Sequence, residues 1–320
     1  MSFRLERDLR PGELAEALRR EARDGLTATP KHMRSRWIWD ARGAELYERI
    51  MELPEYYLPA AERSILRERA GEIAEMAGPR TVVELGSGSS VKTTILLDAL
   101  PRLERFVAVD VDESSLVEAG ERLAERYPRL EVVGVLGDFE RDLPGPFERT
   151  LLVCLGSTIG ALDREDRASL LASAADVLGP DGRLLLGLDL VKPVERIVAA
   201  YDDSEGLSAQ LIANLLPILN KQLGADFDLA AFRSEIAWNA ELGRMEMGVR
   251  SLVAQRVALP AIDLTVEFEE GETLRTEIST KFRREGIEPE LVTAGLDVDA
   301  WWTDGPGDFA LCLAQRPQAA

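Results

Sequence analysis

A short glycine-rich turn is the stretch of this chain best suited to hold a ligand. Residues 81–85 have strand character, the turn itself reads Gly86-Ser87-Gly88-Ser89-Ser90, and residues 92–97 have helix character. Glycine lets the backbone approach a ligand where a larger side chain would intervene. The third glycine of the dinucleotide-binding fingerprint is missing. A close-packed strand-to-helix connection without any ligand would leave the same pattern, so the turn needs support from other residues.

Acidic and basic residues near this turn could supply that support. The shorter pattern Glu-x-Gly-x-Gly, here 84–88, is the one that S-adenosylmethionine (SAM) methyltransferases use. Asp110 ends the second predicted strand, where a carboxylate can accept hydrogen bonds from both ribose hydroxyls of an adenosine ligand. Its alternative role is to cap the next helix, but Asp112 can take that role instead. Lys92 could reach the methionine carboxylate of SAM, although a solvated lysine has the same spacing.

A second acidic residue lies at the end of the third predicted strand. Asp138 could accept a hydrogen bond from an exocyclic amine, with Phe139 against the face of an adenine ring. The alternative is an ordinary Asp turn followed by a core phenylalanine. These positions matter because ligands of α/β folds bind beyond the carboxyl ends of the strands.

The elements that position these residues alternate regularly. Apolar strands are predicted at 80–85, 105–110, 131–136, 150–155 and 183–188, with helices between them. Such strands indicate a parallel sheet that is covered on both faces. A helix at 289–294 and a hairpin of 297–302 with 308–314 follow later, which is how a seven-stranded methyltransferase sheet ends. The predicted fold class is therefore α/β, with a Rossmann-like SAM methyltransferase sheet of seven strands.

An inserted block interrupts this alternation. Helices are predicted at 194–201 and 208–223, and β segments at 244–256, 262–269 and 273–282. We expect 193–282 with 10–59 to form an α+β substrate-binding domain, and 60–192 with 283–320 to form the methyltransferase core.

Composition narrows the classes of partner and site. Lys and Arg number 38 against 57 Asp and Glu, which gives a net charge of −19 and disfavours nucleic acid and anionic membranes as partners. Cys154 and Cys312 lie in apolar runs and are predicted to be buried, and no metal-ligand spacing is present. The single histidine, His32, is predicted to be a solvated helix start rather than a catalytic base. With no apolar signal core or membrane span, we expect a cytoplasmic protein, and we expect a monomer.

The end of the fourth predicted strand points to the kind of methyl acceptor. The Asn/Asp-Pro-Pro-aromatic motif of enzymes that methylate base or glutamine amides is absent after residue 155, and so is a Pro-Cys nucleophile. A small molecule with an intrinsically nucleophilic atom is the acceptor that remains.

Over nearly its full length the chain resembles the histidine-specific Nα-methyltransferases of ergothioneine biosynthesis. The matching stretches are 25–31 (GLTATPK), 53–57 (LPEYY), 83–88 (VELGSG), 137–140 (GDFE), 155–160 (LGSTIG), 188–192 (LDLVK), 200–203 (AYDD), 227–229 (FDL) and 301–304 (WWTD). That family converts L-histidine to its trimethylated betaine, hercynine, with three molecules of SAM.

The resemblance implies a role for each site residue. Those implied to bind SAM are Gly86, Lys92, Asp110, Asp138 and Phe139. Tyr56, also the implied catalytic residue, and Tyr201 would hold the α-amino and carboxylate ends of the substrate. Glu277 and Ser279 would contact the imidazole, with Met247 in the pocket wall. Two residues spaced by two on a strand face the same way, so Glu277 and Ser279 can satisfy two ring nitrogens; without the resemblance they would be a polar strand face.

Two positions depart from the family pattern. Ala161 stands where the family has an asparagine that contacts the α-amino acid end, and Trp39 stands where a tyrosine is expected. Losing a polar partner in a closed site costs about 1–3 kcal/mol. The intact Glu277 and Ser279 favour histidine, whereas Ala161 leaves a different α-amino acid or related small amine as an alternative substrate. A SAM-binding protein without turnover is the other alternative.

Overall fold

Apolar strands that are buried on both faces build the larger sheet of this protein. In the computed structural model, which describes residues 3–10, 12–88 and 90–317, strand Thr81–Leu85 is buried at every position, and so is Thr150–Cys154. Val82 and Val83 point to opposite faces and both are 1% exposed or less. Helices therefore cover both faces, as the run of apolar residues predicts.

The strands, in chain order, are β1 (Arg4–Arg7), β2 (Thr81–Leu85), β3 (Arg105–Asp110), β4 (Glu131–Leu136), β5 (Thr150–Cys154), β6 (Arg183–Asp189), β7 (Phe232–Asn239), β8 (Arg244–Ser251), β9 (Gln255–Leu259), β10 (Leu264–Phe268), β11 (Thr273–Thr280), β12 (Asp297–Thr303) and β13 (Phe309–Gln315). The α-helices are α1 (Glu13–Thr27), α2 (Ala41–Ile50), α3 (Leu58–Ala77), α4 (Thr93–Asp98), α5 (Glu113–Arg126), α6 (Arg164–Val177), α7 (Val194–Tyr201), α8 (Leu207–Ala213), α9 (Leu215–Leu223) and α10 (Arg284–Thr293). Short 3-10 helices cover Ser35–Ile38, Thr158–Ala161, Leu229–Ala231 and Pro260–Ile262.

The described residues divide into two compact units. Those within Met1–Leu9, Leu58–Val191 and Lys281–Ala320 form the first unit. Those within Arg10–Tyr57 and Lys192–Thr280 form the second unit.

The first unit contains an eight-stranded sheet with the order β1-β4-β3-β2-β5-β6-β13-β12. Strands β1 to β6 run parallel, and β13 runs antiparallel to both β6 and β12. The parallel strands β2, β3, β4 and β5 therefore bring their carboxyl ends to one edge of the sheet. This is the α/β SAM methyltransferase arrangement, with its last strand inserted antiparallel.

The sheet has one strand more than the seven that the sequence predicts. The additional edge strand, β1, pairs with β4 along Arg4–Arg7. Three of its four residues are charged, and three are exposed, so it carries no apolar signal. Edge strands with a solvated face are the ones that hydrophobic patterns miss.

The second unit contains five α-helices, three short 3-10 helices and two small antiparallel sheets among its described residues. One sheet has the order β11-β8-β7, and the other pairs β10 with β9. The predicted β segment 244–256 is wrong as one strand, because the chain bends after Ser251 and forms both β8 and β9. Strand β7 is not predicted from the sequence, because Ser234 interrupts its short period-2 pattern of Phe232, Ile236 and Trp238, and most of its residues are half-buried.

Two helical predictions in the second unit also need correction. The predicted helix 208–223 breaks at Asn214, whose side-chain amide donates to the Ile38 carbonyl at 3.1 Å and to Asp40 Oδ1 at 2.8 Å. Helix α2 is not predicted, although Asp40 is a regular N-cap for it and accepts from Gly43 N at 2.9 Å. His32 does not start a helix: it is half-buried and forms an isolated β-bridge with Arg275.

Candidate active site

The glycine turn follows β2 at the carboxyl edge of the sheet. Gly86 and Gly88 have φ values of 64° and 46°, in the left-handed region that favours glycine. The Gly86 amide donates to the Val109 carbonyl at 2.9 Å. A Cβ on Gly86 would lie 3.5 Å from both the Phe139 ring and the Thr158 methyl group, so these two side chains flank the turn. Ser89 lies outside the described residues.

Asp110 is bonded to the same turn. Its Oδ2 accepts from Gly88 N at 3.0 Å and its Oδ1 from Asp112 N at 3.1 Å. Burial raises the pKa of this carboxyl, and the backbone hydrogen bonds oppose that effect. A carboxylate has about four acceptor positions, so these two bonds leave room for ribose hydroxyls.

The prediction that Asp112 caps the next helix is confirmed. Asp112 is the N-cap of α5 and its carboxylate accepts from the backbone of Ser114 and Ser115. Against the opposing effect of desolvation, hydrogen bonds from the Ser115 and Ser114 hydroxyls, followed by those from their backbone N–H groups, lower the pKa of Asp112. The capping role therefore belongs to Asp112, and Asp110 is left at the end of β3.

Asp138 and Phe139 follow β4 at the same edge. Asp138 is buried, and its Oδ1 accepts from Glu140 N at 3.1 Å, which is an Asx turn. Phe139 is half-buried, packs against the apolar core and flanks Gly86. Both structural roles are therefore present, and the contact with adenine stays a prediction.

Lys92 stands directly before α4 and pairs with a residue of α3. Its Nζ lies 2.7 Å from Glu62 Oε2, and its side chain is 29% exposed. A Cβ on Gly156, just after β5, would lie 2.8 Å from the same Nζ. Lys92 is thus held in an ion pair at the sheet edge, and its contact with a methionine carboxylate stays a prediction.

Two polar groups, one at the end of β2 and one in the glycine turn, complete this region. Glu84 is buried and accepts from the hydroxyls of Thr93 and Ser90, the latter at 3.1 Å. Burial raises the pKa of Glu84 to about 7. The Ser87 hydroxyl is buried and has no hydrogen-bond partner among the described residues. An unpartnered hydroxyl in a turn of glycines fits a ligand with polar groups, such as the adenosyl donor.

Tyrosines form a chain of edge-on contacts in the second unit. The Tyr56 ring centroid lies 6.1 Å from those of both Tyr47 and Tyr201, at interplanar angles of 81° and 79°. The hydroxyls of Tyr47 and Tyr56 are 3.4 Å apart. Tyr56 is 8% exposed, and burial, followed by the charges of its neighbours, raises its pKa well above the ordinary value. Its phenol therefore stays protonated at neutral pH.

Strand β11 brings the two predicted imidazole partners to this cluster. The Ser279 hydroxyl lies 2.8 Å from that of Tyr201, and both residues are buried. Glu277 is half-buried, and its negative charge contributes to the raised pKa of Tyr56. It stands opposite Met247 in the β11–β8 register, and Met247 is buried. The second unit thus brings together all of the predicted substrate residues except Ala161.

The two departures from the family pattern belong to different units. Ala161 ends the 3-10 helix Thr158–Ala161 of the first unit and is half-buried. Trp39 lies in the second unit, where its ring packs edge-on against Tyr47 at 5.2 Å. Trp39 is therefore connected to Tyr56 through one intervening ring.

Three residues of these clusters had no predicted role: Tyr47, Glu62 and Ser87. Tyr47 belongs to a dense aromatic group at 37–47, which marks it as packed but not as a partner of Tyr56. Glu62 occupies a position of the apolar stripe of α3, between Leu58 and Leu66. A carboxylate at such a position indicates that it is paired with another polar group inside the protein.

The remaining predictions concern the two cysteines, a metal site and membrane spans. Cys154 and Cys312 are free and buried, as predicted, and burial raises the pKa of each thiol to about 12. Within residues 3–10, 12–88 and 90–317, no group of three or more His, Cys, Asp and Glu could hold a metal ion. No helix in that part of the chain is long and apolar enough to cross a membrane.

Comparison with known proteins identifies the family. Residues 18–316 match the model of the family described as SAM-dependent, histidine-specific methyltransferases. The histidine N-alpha-methyltransferase of Mycolicibacterium smegmatis is 47% identical over 322 residues, which cover 99% of this chain and 100% of that protein. The enzyme of the same name from Mycobacterium tuberculosis is 46% identical, over 94% of this chain and 95% of that protein.

A fungal relative is longer than this chain. Ergothioneine biosynthesis protein 1 of Neurospora crassa is 31% identical over 302 residues, which cover 90% of this chain but 33% of that protein. With a match over nearly all of its length and the Gly86, Asp110 and Asp138 set at one sheet edge, the chain belongs to the SAM-dependent, histidine-specific methyltransferase family.

Proposed function

We propose that this protein transfers methyl groups from SAM to the α-amino nitrogen of L-histidine and carries the reaction to the trimethylated product, hercynine. The observation that carries this proposal is the cluster of Tyr56, Tyr201, Ser279 and Glu277 in one unit, which offers hydroxyls and a carboxylate together. The names of the mycobacterial relatives support the choice of histidine, and that of the fungal relative supports a place in ergothioneine biosynthesis.

The first unit is proposed as the methyltransferase core that binds SAM. Asp110 would accept from the ribose hydroxyls, Asp138 and Phe139 would hold the adenine, and Gly86 and Lys92 would bind the methionine end. SAM, when bound, supplies a sulfonium whose methyl group is electrophilic. The protein's task is then to align an uncharged amine with that methyl group and to exclude water.

The second unit is proposed as the substrate-binding domain. Glu277 and Ser279 would take the two imidazole nitrogens, since a carboxylate accepts and a hydroxyl both donates and accepts. Tyr56 and Tyr201 would hold the α-amino and carboxylate ends, with Met247 as apolar wall. The Tyr201–Ser279 hydrogen bond fixes both hydroxyls, so that little side-chain entropy is lost when histidine binds.

The raised pKa of Tyr56 restricts the role of this residue. A phenol that stays protonated can steer the amine by a hydrogen bond, but it is a poor proton acceptor. The α-amino group of a chain terminus has a reference pKa of about 7.7–8.0, and the ionised carboxylate of a free amino acid raises it further, so a small neutral fraction exists near physiological pH without a protein base. We therefore assign to Tyr56 the orientation of the amine rather than its deprotonation.

Ala161 bears on the extent of methylation and on the alternative substrate. Alanine in place of asparagine removes a polar contact and leaves space, which accommodates a trimethylated nitrogen. The same change favours, as a second candidate, methylation of a different α-amino acid or small amine.

We expect the enzyme to act as a cytoplasmic monomer on a small molecule, with no role for nucleic acid, whose phosphates its net charge of −19 would repel.

Calorimetric titration separates the two candidate substrates. Histidine and other amino acids are titrated into the protein saturated with S-adenosylhomocysteine (SAH). The proposal expects histidine to bind and its isosteres without an imidazole to bind weakly or not at all. Binding of another amino acid with none for histidine would replace the first candidate by the second. If mass spectrometry then shows no methylation of any bound amino acid incubated with SAM, the chain is a SAM-binding protein without activity.

A further inference from the structure

Glu62 is a fully buried carboxylate with two partners from different loops. It lies on α3 with 0% exposure. Its Oε1 accepts from the backbone N–H of Gly156 at 2.7 Å, and its Oε2 pairs with Lys92 Nζ at 2.7 Å. Burial of a charged carboxylate is costly unless each oxygen is compensated, and here both are.

The surrounding backbone makes space for this carboxylate. Gly187 lies within β6, and a Cβ at that position would collide with Glu62 Oε1. Gly156 has a φ of 73°, and a Cβ there would lie 2.8 Å from Lys92 Nζ. Two glycines, on β6 and after β5, are therefore needed for the Lys92–Glu62–Gly156 arrangement to form.

Both partners stand beside the glycine turn. Lys92 follows the turn after β2, and Gly156 begins the loop after β5, the strand next to β2 in the sheet. Thr158 of that loop flanks Gly86. Glu62 thus ties together two neighbouring loops at the carboxyl edge while remaining out of contact with solvent.

We propose that Glu62 is a positioning residue for SAM: it fixes the Lys92 ammonium and the Gly156 loop where the methionine end of the donor binds. This inference rests on the proposed function, in which Lys92 meets that end. An ammonium has three N–H donors, so the bond to Glu62 is compatible with a second bond to a ligand carboxylate. Glu62 neutralises Lys92 in the free protein and holds it in one rotamer, which lowers the entropy lost on binding.

Titration of the full-length protein with SAH, followed by calorimetry, tests the inference without requiring activity. In Glu62→Gln the side-chain shape is kept and the charge is removed, and SAH should bind roughly 5- to 100-fold more weakly. The KM for SAM should rise while the KM for histidine stays unchanged. Glu131→Gln is the matched control: Glu131 pairs with Arg105 at 2.8 Å in the same unit, near the opposite ends of the strands, and its loss should leave SAH affinity unchanged.

A double-mutant cycle with Lys92→Met distinguishes positioning from simple structural support. The amide oxygen of glutamine can still accept from Gly156 N, so Glu62→Gln tests the part of the effect that passes through Lys92. Adding Glu62→Gln to Lys92→Met should therefore change SAH affinity by less than about twofold. Circular dichroism and thermal unfolding verify that each variant is folded. If Glu62→Gln does not fold, Glu62→Asp keeps the charge but withdraws it by one methylene, and an intermediate loss of affinity is expected.

The outcomes separate this inference from the proposed function. If folded Glu62→Gln or Glu62→Asp binds SAH with an affinity within about twofold of that of wild type, the role of Glu62 is overturned. The proposed function is not affected by that result. Independent, additive losses in the cycle would also overturn the role of Glu62. No SAH binding by wild type would overturn the donor site itself and the inference with it.

Discussion

The hydroxyl of Tyr201, the last residue of α7, lies 2.8 Å from the hydroxyl of Ser279 on β11. The two residues are 78 positions apart in the chain. Their hydrogen bond joins the residue proposed for the amino acid end of the substrate to one proposed for the imidazole. The helical and β parts of the second unit therefore meet at the residues proposed to bind the substrate. Substitutions on β11 should alter the contacts of both the imidazole and the amino acid end of the substrate.

Replacing Glu277 by glutamine should weaken histidine binding. A hydrogen bond to a charged group contributes about 1.5–3 kcal/mol, so the Kd for histidine in the presence of SAH should rise roughly 10- to 100-fold. SAH affinity, measured in the same calorimeter, should not change. Glu246→Gln serves as the control on the neighbouring strand β8, since Glu246 pairs with Arg244. Equal histidine affinity in wild type and Glu277→Gln would remove Glu277 from the proposed site.

Tyr56→Phe should lower activity without altering its pH dependence. Burial raises the pKa of Tyr56, so the phenol is protonated across the range in which the substrate amine loses its proton. The rise of kcat/KM with pH should therefore follow deprotonation of the α-amino group of free histidine in both wild type and variant. Loss of one orienting hydrogen bond should cost about tenfold in kcat/KM. A variant whose pH profile loses its rising limb would show that Tyr56 is a base.

Asp110 and Asp112 offer a matched pair of acidic residues. Asp110→Asn should raise the Kd for SAH by about 10- to 100-fold. The reason is that an amide replaces the carboxylate that accepts hydrogen bonds from Gly88 N and, in the proposed complex, from the ribose hydroxyls. Asp112→Ala removes the N-cap of α5 and should cost about 1 kcal/mol of unfolding free energy. Its SAH affinity should equal that of wild type. Comparable SAH affinity in both variants would contradict the assignment of Asp110.

Ala161→Asn should restore a polar contact to the substrate's amino acid end. A net hydrogen bond contributes about 0.5–1.5 kcal/mol, so histidine should bind roughly 2- to 10-fold more tightly. The measurement is histidine titration with SAH present, alongside the distribution of mono-, di- and trimethylated products. Ala161→Ser provides a smaller polar control. A weaker affinity for histidine in Ala161→Asn would indicate that alanine is the better residue at this position.

The raised pKa of the buried Glu84 carboxyl should make the free energy of unfolding depend on pH. Burial raises its pKa in the folded protein to about 7 from the ordinary value of 4.5, so between these two pH values the folded protein holds a proton that the unfolded chain has released. Stability from this group should therefore fall as pH rises from about 4.5 to 7, by about 3 kcal/mol in total, and level off above. Urea unfolding of Glu84→Gln across this range should lack that decline. The same decline in wild type and variant would assign it to other groups.

Strands β2 to β6 and β13 of the large sheet follow from the sequence because each is a largely apolar run that is buried on both faces. The roles of the two acids after β3 can be predicted as well. Only one of Asp110 and Asp112 is needed as the N-cap of α5, so the other is left available for a ligand. The partners of Glu62 cannot be predicted from the sequence. Helical periodicity shows that Glu62 faces the interior, but Lys92 and Gly156 are brought to it only because β2 and β5 are neighbours in the folded sheet. The Tyr201–Ser279 pair likewise depends on tertiary folding. Strand β1 is not predicted because three of its four residues are charged. Strand β7 is not predicted although Phe232, Ile236 and Trp238 follow a period of two, because Ser234 interrupts this short pattern.

The most direct measurement is mass spectrometry, with NMR assignment of the methylated atom, on L-histidine incubated with the protein and SAM. The proposed function predicts products that carry one, two and finally three methyl groups, all on the α-amino nitrogen, with an equal number of SAH molecules formed. Methyl groups on the imidazole, or an unchanged histidine beside a methylated second amino acid, would contradict it.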